Sequence, residues 1–307
     1  MKARLQVDGS AAGDVREIFL MHVQAALDCL VGQSPPSDEA VHDARKAVKR
    51  ARAALRLLRP SIGEQCYKKE NSLARDAAKP LTLARDAKVL EDALKQLLTD
   101  SGGAVRKLPL DGFLARLHAE RSLTRQALQD DASQLKASRN ILRGARRRVQ
   151  QWPLLEDDWD LLGPALRRVY RAGRKAQARA ADESDDEALH EWRKQCKYLW
   201  HAMQILLPLQ PERIGELADR AHRLADMLGD DHDLAVLRLR VQALSEAFGS
   251  TDVAETLLDV IDARRHVLQK KAFAAGRMLY GRKPAAFVEH LEKIWHRWRA
   301  TSLSKSH

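Results

Sequence analysis

The sequence predicts an all-α fold, and three observations support that class. Ala, Leu, Arg, Glu and Lys dominate the chain, and these residues favour helices. Only 15 Gly and 10 Pro occur in 307 residues, and most of the Pro lie between segments with helical periodicity. No stretch alternates apolar and polar residues as a half-buried strand would. We therefore expect helices throughout and no sheet.

Eleven segments carry the periodicity of amphipathic helices. In chain order they are residues 14–31, 38–59, 65–79, 81–99, 111–150, 160–182, 185–207, 211–228, 231–248, 252–275 and 285–300. Capping residues mark two of the starts. Ser37 precedes two acids in the first turn of one helix, and Ser184 followed by Glu187 forms a capping box at another.

Two of these helices resemble each other. One reads VHDARKAVKRARAALRLLRP over residues 41–60, and the other reads LHEWRKQCKYLWHAMQILLP over residues 189–208. At an offset of 148, the matches are His42, Arg45, Lys46, Lys49 and Pro60 with His190, Arg193, Lys194, Lys197 and Pro208. A further match, at an offset of 147, joins residues 85–90 to residues 232–237. The pattern is typical of a duplicated unit, so we predict one domain of two similar helical halves, 1–155 and 156–307.

Each of the two matched helices has an apolar face and a cationic face. At 3.6 residues per turn, the first cationic strip contains His42, Arg45, Lys46, Lys49, Arg52 and Arg56. The second strip contains His190, Arg193, Lys194, Lys197, His201 and Gln204. Cations at these spacings repel one another by a few tenths of a kcal/mol per pair. A solvated face normally mixes the two signs, whereas these strips recur nearly unmixed, so we predict that they bind an anion.

Two further segments, residues 136–150 and 165–179, are basic and contain no Asp or Glu. The first is as compatible with outward-facing charge that aids solubility as with binding. The second leads into the His190 helix, and we therefore assign Arg171, Arg174 and Lys175 to the same binding surface.

The whole chain carries a formal net charge of +11, which favours a polyanionic partner such as nucleic acid, anionic lipid or polymeric phosphate. No apolar run is long enough to span a bilayer, so we expect no membrane association. Cys29, Cys66 and Cys196 are widely spaced and form no CxxC pair. They predict a cytoplasmic protein without disulfides or a zinc cluster.

The stretches HDARKAVKRARAALRLLRP, HEWRKQCKYLWHAMQILLP and LGDDHDLAVL resemble the conserved histidine α-helical domain, CHAD, and the resemblance covers both halves. It implies two pseudo-symmetric four-helix bundles with a basic central groove or pore. It also implies that this groove binds inorganic polyphosphate, and that the protein associates with polyphosphate granules. The residues to which it points are His42, Arg45, Lys46, Lys49, Arg52, His190, Arg193, Lys194 and Lys197.

The second half departs from the family pattern at several positions. Trp200-His201 and Gln204 stand where the family usually has Arg-Tyr and then Glu, and His232 replaces a usual Arg before Asp233. For His42 and His190, contact with phosphate and orientation of a neighbouring helix both remain open. We expect Asp86 and Asp233 to form salt bridges or caps that hold the basic helices.

Two alternatives to polyphosphate binding compete. Nucleic acid is a polyanion too, but single-strand binders interleave aromatic and basic residues, and only 5% of this chain is aromatic. An HD-type phosphohydrolase would bind metal through His232-Asp233 and His190, His201 or His222. The matching first-half position is Arg85, which cannot ligate a metal. We therefore expect binding of polyphosphate without catalysis, metal or cofactor.

Overall fold

The computed structural model describes residues 3–31, 36–101, 108–130, 132–183, 185–248 and 251–303. This part of the chain is helical and contains no β-strand, as the sequence predicts. Its α-helices are α1 (Ala11–Val31), α2 (Asp38–Ile62), α3 (Glu64–Ala78), α4 (Pro80–Ser101), α5 (Asp111–Asp130), α6 (Ala132–Arg148), α7 (Asp158–Glu183), α8 (Asp186–Leu206), α9 (Pro211–Ala243), α10 (Thr251–Leu279) and α11 (Pro284–Leu303).

Two stretches differ from the predicted helices. The segments 211–228 and 231–248 were predicted as separate helices, but α9 runs through Gly229 without a break. The single helix predicted over 111–150 is instead α5 and α6, and residue 131 between them lies outside the described residues. Glycine inside a helix costs only about 1 kcal/mol relative to alanine, so tertiary packing can override it as a stop signal.

The helix ends show which local signals act. Ser37 caps α2, and its side-chain oxygen accepts a hydrogen bond of 3.1 Å from the Ala40 N–H, as predicted. The predicted cap Ser184 lies outside the described residues, and Asp185 caps α8 by accepting from the Ala188 N–H at 2.6 Å. Gly63, with a φ of 79°, separates α2 from α3. This left-handed conformation favours glycine.

Buried apolar side chains form two clusters. The larger cluster packs α1, α2 and α6 against α7, α8, α11 and the N-terminal part of α9. The smaller one packs α4 and α5 against α10 and the C-terminal part of α9. Each cluster therefore contains residues from both sides of residue 155. The arrangement of the halves as two pseudo-symmetric four-helix bundles stays a prediction.

The order of the helices is consistent with the repeat. Helices α2 and α8 carry the matched basic sequences, and each is followed by a long helical stretch. In the first half this stretch is divided between α3 and α4, because Pro80 begins a new helix. In the second half it is the continuous α9.

Candidate anion-binding site

The two matched helices bury the faces predicted to be apolar. On α2, Ala44, Val48 and Leu55 are buried, and on α8, Trp192 and Cys196 are buried. The opposite faces contribute to a cleft of about 330 Å³, which we call the α2–α8 cleft. Its lining residues are Arg45, Lys49, Arg52, Val89, His190, Arg193, Lys194, Lys197, Tyr198, His201, His232 and Asp233. The structure thus brings seven of the predicted site residues together.

The charge of the α2–α8 cleft is strongly positive. Its lining includes six Lys and Arg side chains, three from each helix, and among the described residues Asp233 is the single carboxylate. Cations on two low-dielectric walls reinforce one another's field inside a cleft. The cleft therefore favours a ligand with several negative charges.

The α2 arginines are held by neutral acceptors. Arg45 Nη1 donates to the Leu81 carbonyl at 2.9 Å, and Arg52 Nε donates to the Asn71 side-chain oxygen at 3.0 Å. These two bonds orient the guanidinium groups without cancelling their charge. Burial, with repulsion from Arg56 and Arg75, lowers the pKa of Arg52 from its ordinary value. A bound anion would stabilise the charged guanidinium of Arg52 and so raise its pKa again.

On α8, Arg193 is positioned by residues of α9. Its Nη1 lies 3.7 Å from Asp233 Oδ1, which is the kind of salt bridge predicted for Asp233. The guanidinium also lies against Gly229, where a Cβ atom would come within 3.1 Å of Nη2. The missing side chain of Gly229 therefore gives Arg193 its place over α9. The matching Asp86 side chain lies outside the described residues.

Two histidine rings meet in the cleft. The centroids of His190 and His232 are 4.3 Å apart. Burial, with repulsion from His232, Lys194 and Arg193, lowers the pKa of His190 to about 4, so its imidazole is neutral at pH 7. Among the described residues, His190 Nδ1 has no hydrogen-bond partner. This atom is buried, so a ligand in the cleft reaches it only if the ring moves.

The other predicted α2 residues lie around the cleft. His42 lines a neighbouring pocket of about 410 Å³ that shares Val89 with the cleft. Lys46 is exposed and is absent from the cleft lining among the described residues. The guanidinium of Arg56 covers the ring of Tyr198, a lining residue, at 3.4 Å from the ring centroid.

The α7 residues do not line the α2–α8 cleft, contrary to our expectation that they share its surface. Arg171 lines a separate pocket of about 520 Å³ against α11. Arg174 donates to the Arg282 carbonyl at 3.2 Å, and Lys175 is exposed. The buried face of α7 includes Leu166, so its cationic face turns away from the core. Helical periodicity predicts which residues form the cationic face of α7, but it does not predict whether that face points toward the α2–α8 cleft.

Besides Asp233, which was expected to form a salt bridge, and His201 of the second strip, three residues of the cleft were not predicted as binding residues. Tyr198 follows Lys197 in the basic motif and could have been placed on the strip by helical spacing. Val89 and His232 reach the cleft from α4 and α9, and no local signal in their own segments indicates this contact. Arg75 of α3 lies close enough to Arg52 to lower its pKa, again through tertiary packing.

Four of the residues proposed for an HD-type metal centre, His190, His201, His232 and Asp233, line the α2–α8 cleft. Within the described ranges, no three His, Cys, Asp or Glu side chains are placed to hold one metal ion. His222 pairs with Asp226, and its ring lies 3.8 Å from Trp200. Within the part of the chain that the structure describes, no helix is both long and apolar enough to cross a bilayer.

The fold and the site define an all-α protein with two basic helices facing a common cleft. Residues 19–242 match the CHAD domain family, and the chain belongs to that family. The structure is similar to the CHAD domain from the plant Ricinus communis, with a TM-score of 0.63 and 17% sequence identity. That similarity covers 92% of this chain and 95% of the plant chain. No curated protein matches the sequence.

Proposed function

We propose that this protein binds inorganic polyphosphate in the α2–α8 cleft and does not act on it chemically. The observation that carries the proposal is the cleft lining, in which six Lys and Arg side chains face one carboxylate among the described residues. CHAD domains are associated with polyphosphate-related proteins. Association with polyphosphate granules in the cytoplasm is part of the same proposal.

The chemistry of the cleft suits a polymer of phosphate. Arg can fork onto two phosphate oxygens and Lys acts as a point charge, so a dense row of both matches a chain with charge on every unit. Arg45 and Arg52 on α2 are oriented by hydrogen bonds, which reduces the entropy lost when a ligand binds. Lys194 and Lys197 provide cations from the opposite helix.

A nucleic acid fits the cleft less well. Single-strand binders offer open aromatic faces on which bases stack. Among the described lining residues, Tyr198 is the one Phe, Tyr or Trp, and the Arg56 guanidinium already covers its ring at 3.4 Å. The lining thus favours a polyanion without bases.

Charges around the cleft suggest the course of the bound chain. One neighbouring pocket, of about 290 Å³, shares Asp233 and Val89 with the cleft, and its charged lining residues are Asp92, Asp100, Asp230, Asp233 and Arg264. Carboxylates repel phosphate, so we expect that the polyphosphate chain does not pass through this pocket. Toward the C-terminal end of α2, Arg56 is followed by Arg59 and by Arg168, both of which contact Glu64. A long chain would leave the cleft in that direction.

A titration with long-chain polyphosphate beside single-stranded DNA, at two salt concentrations, tests the proposal. We expect tighter binding of polyphosphate at each salt concentration and a steep loss of affinity as salt rises, because bound counterions are released. Equal or tighter binding of DNA under the same conditions would overturn the proposal.

A further inference from the structure

A second cationic pocket lies on the other side of α8. It has a volume of about 300 Å³, and its lining residues are Ala3, Arg4, Ile18, Met21, His22, Arg50, Trp200, His201, Gln204, Ile205 and Pro208. We call it the Arg50 pocket. It shares only His201 with the α2–α8 cleft among the described residues. The pocket is therefore a separate site, formed by α1, α2, α8 and the N-terminal segment.

The charge of the Arg50 pocket is uncompensated. Within the described ranges, no Asp or Glu lines it, and the side chains of Arg50 and Arg4 have no hydrogen bond or ion pair. Other arginines of the protein pair with carboxylates, as Arg148 does with Glu70 at 2.6 Å. A half-buried guanidinium without such a partner retains its full capacity to bind an anion.

Two neutral histidines flank Arg50. Burial, with repulsion from Arg50, lowers the pKa of His22 to about 4 and that of His201 to about 3. Lys197 and Lys49 add to the repulsion at His201. A negative charge bound near them would favour the protonated form of both imidazole rings.

The aromatic wall of the pocket fixes the position of His201. The Trp200 ring lies 4.5 Å from the His201 ring and 3.8 Å from the His222 ring of α9. His222 in turn pairs with Asp226. Ile18 and Met21 of α1 contribute apolar side chains to the same lining.

We propose that the Arg50 pocket binds a small phosphate-bearing anion, held by the guanidinium groups of Arg50 and Arg4 and by the imidazole of His22. The two arginines contribute charge-assisted hydrogen bonds, and Trp200 closes the apolar side. The anion is either free orthophosphate or the terminal phosphate of a polymer, since both present the same group. Only the second source depends on the function proposed for the α2–α8 cleft.

Binding is expected to be coupled to proton uptake. His22 of α1 lines the pocket together with Arg50 of α2, His201 of α8 and Arg4 of the N-terminal segment. Burial and the charge of Arg50 favour the neutral form of the His22 ring, and no carboxylate among the described lining residues favours its charged form. A phosphate among them reverses the balance, because an opposite charge stabilises the imidazolium. Orthophosphate itself gains a proton over this range, so the affinity for the dianion, corrected for that protonation, should rise as the pH falls from 7.5 to 6.

The test is a titration of the full chain with orthophosphate, followed by NMR of the histidine side chains and by calorimetry in buffers of different ionisation enthalpy. We expect saturable shifts of the His22 and His201 signals and net proton uptake. Arg50→Ala should weaken binding at least tenfold and Arg4→Ala several-fold. Lys270→Ala, an exposed change on α10, should leave it unchanged.

The possible outcomes distinguish free orthophosphate from the terminal phosphate of a polymer, and they distinguish both from failure of the proposal. Saturable shifts with orthophosphate support free phosphate, whereas shifts that require a polyphosphate chain support the terminal phosphate. Absence of saturable shifts with both ligands would overturn the proposal, as would native affinity in Arg4→Ala and Arg50→Ala together. If Arg50→Ala does not fold, Arg4→Ala decides, because Arg4 is exposed and its truncation leaves the core intact. His201 also lines the α2–α8 cleft, so in the polyphosphate titration the His22 signal and the Arg4→Ala variant, which belong to the Arg50 pocket alone, decide the outcome.

Discussion

The guanidinium carbon of Arg56 on α2 lies 3.4 Å from the centroid of the Tyr198 ring on α8. This contact joins the two basic helices at the wall of their common cleft. Arg56 Nη1 also donates to the Arg52 carbonyl at 3.1 Å, so its side chain is held from two sides. The pair therefore keeps a cation beside the cleft and occupies the ring face that a base would need.

Replacing Tyr198 should weaken both the fold and the binding of polyphosphate. Tyr198→Ala removes a cation–π contact of about 1 kcal/mol and releases Arg56. We expect a lower free energy of unfolding in urea and a several-fold loss of affinity in a polyphosphate titration. Tyr198→Phe, which keeps the ring, is the matched control and should behave as the native protein. Equal loss in both variants would show that the hydroxyl, and not the ring, matters.

The helices were predictable wherever one local signal dominated. Ser37 caps α2 as its sequence context indicates, because an N-cap acts on the N–H groups of the following turn. Gly229 led to a wrongly predicted end of a helix at residue 228, because glycine commonly follows the last residue of a helix. In the continuous α9 the Arg193 guanidinium packs on this glycine, which is a tertiary contact. Contacts of that kind cannot be derived from neighbours in sequence.

The binding surface was predictable to the same extent. Helical periodicity places Arg45 and Lys49 on one face of α2, and both line the cleft. It cannot say which helix crosses which, so the approach of His232 from α9 was missed. For the same reason Arg171, on a basic face of its own, was assigned to a surface that it does not line.

Gly229→Ala should separate binding from stability. The new Cβ would lie 3.1–3.3 Å from the Arg193 guanidinium, so this flexible side chain must move by a few tenths of an ångström relative to Asp233. Alanine also favours the helix by up to about 1 kcal/mol, which offsets the lost packing. We expect an unchanged or higher melting temperature with a several-fold loss of polyphosphate affinity. Native affinity would show that the position of Arg193 is unimportant.

Acidification should destabilise the protein through its buried histidines. The pKa values of His22 and His190 are lowered to about 4 and that of His201 to about 3, in each case chiefly by burial. The unfolded chain takes up protons below about pH 6.5 while the folded chain does not, so the free energy of unfolding falls as the pH drops toward 4. The loss should be on the order of 1–2 kcal/mol per histidine at pH 5.

Urea unfolding at pH 7 and pH 5 measures this effect. His201→Gln should show a smaller loss of stability between the two pH values than the native protein. His296→Gln is the control, because His296 is 65% exposed. The same loss in all three proteins would assign the pH dependence to other groups.

The protein should not hydrolyse polyphosphate. Asp233, the carboxylate of the α2–α8 cleft, lies 3.7 Å from Arg193, and a cation next to it opposes a metal ion at the same place. We expect no release of orthophosphate from polyphosphate when magnesium or manganese is added. Release that Asp233→Asn abolishes would favour a phosphohydrolase instead.

Both basic helices should be needed for tight binding. The α2–α8 cleft places Arg45 and Lys49 opposite Arg193 and Lys197, so one polyphosphate chain contacts both sides at once. After the first contact, the second benefits from a high effective concentration. The double change Arg45→Ala/Lys49→Ala should therefore weaken binding at least tenfold, and Arg193→Ala/Lys197→Ala should do the same.

The salt dependence distinguishes direct contact from an indirect effect. Losing two phosphate contacts should reduce the slope of log affinity against log salt by about 1–2, whereas a change that only disturbs packing leaves the slope as it was. The control is Lys270→Ala/Lys271→Ala, which removes the same charge from an exposed face of α10 and should change affinity little. Circular dichroism should show unchanged helical content in every variant. If the α2 change weakens binding and the α8 change does not, the chain lies along α2 alone, and the cations of α8 have no share in holding it.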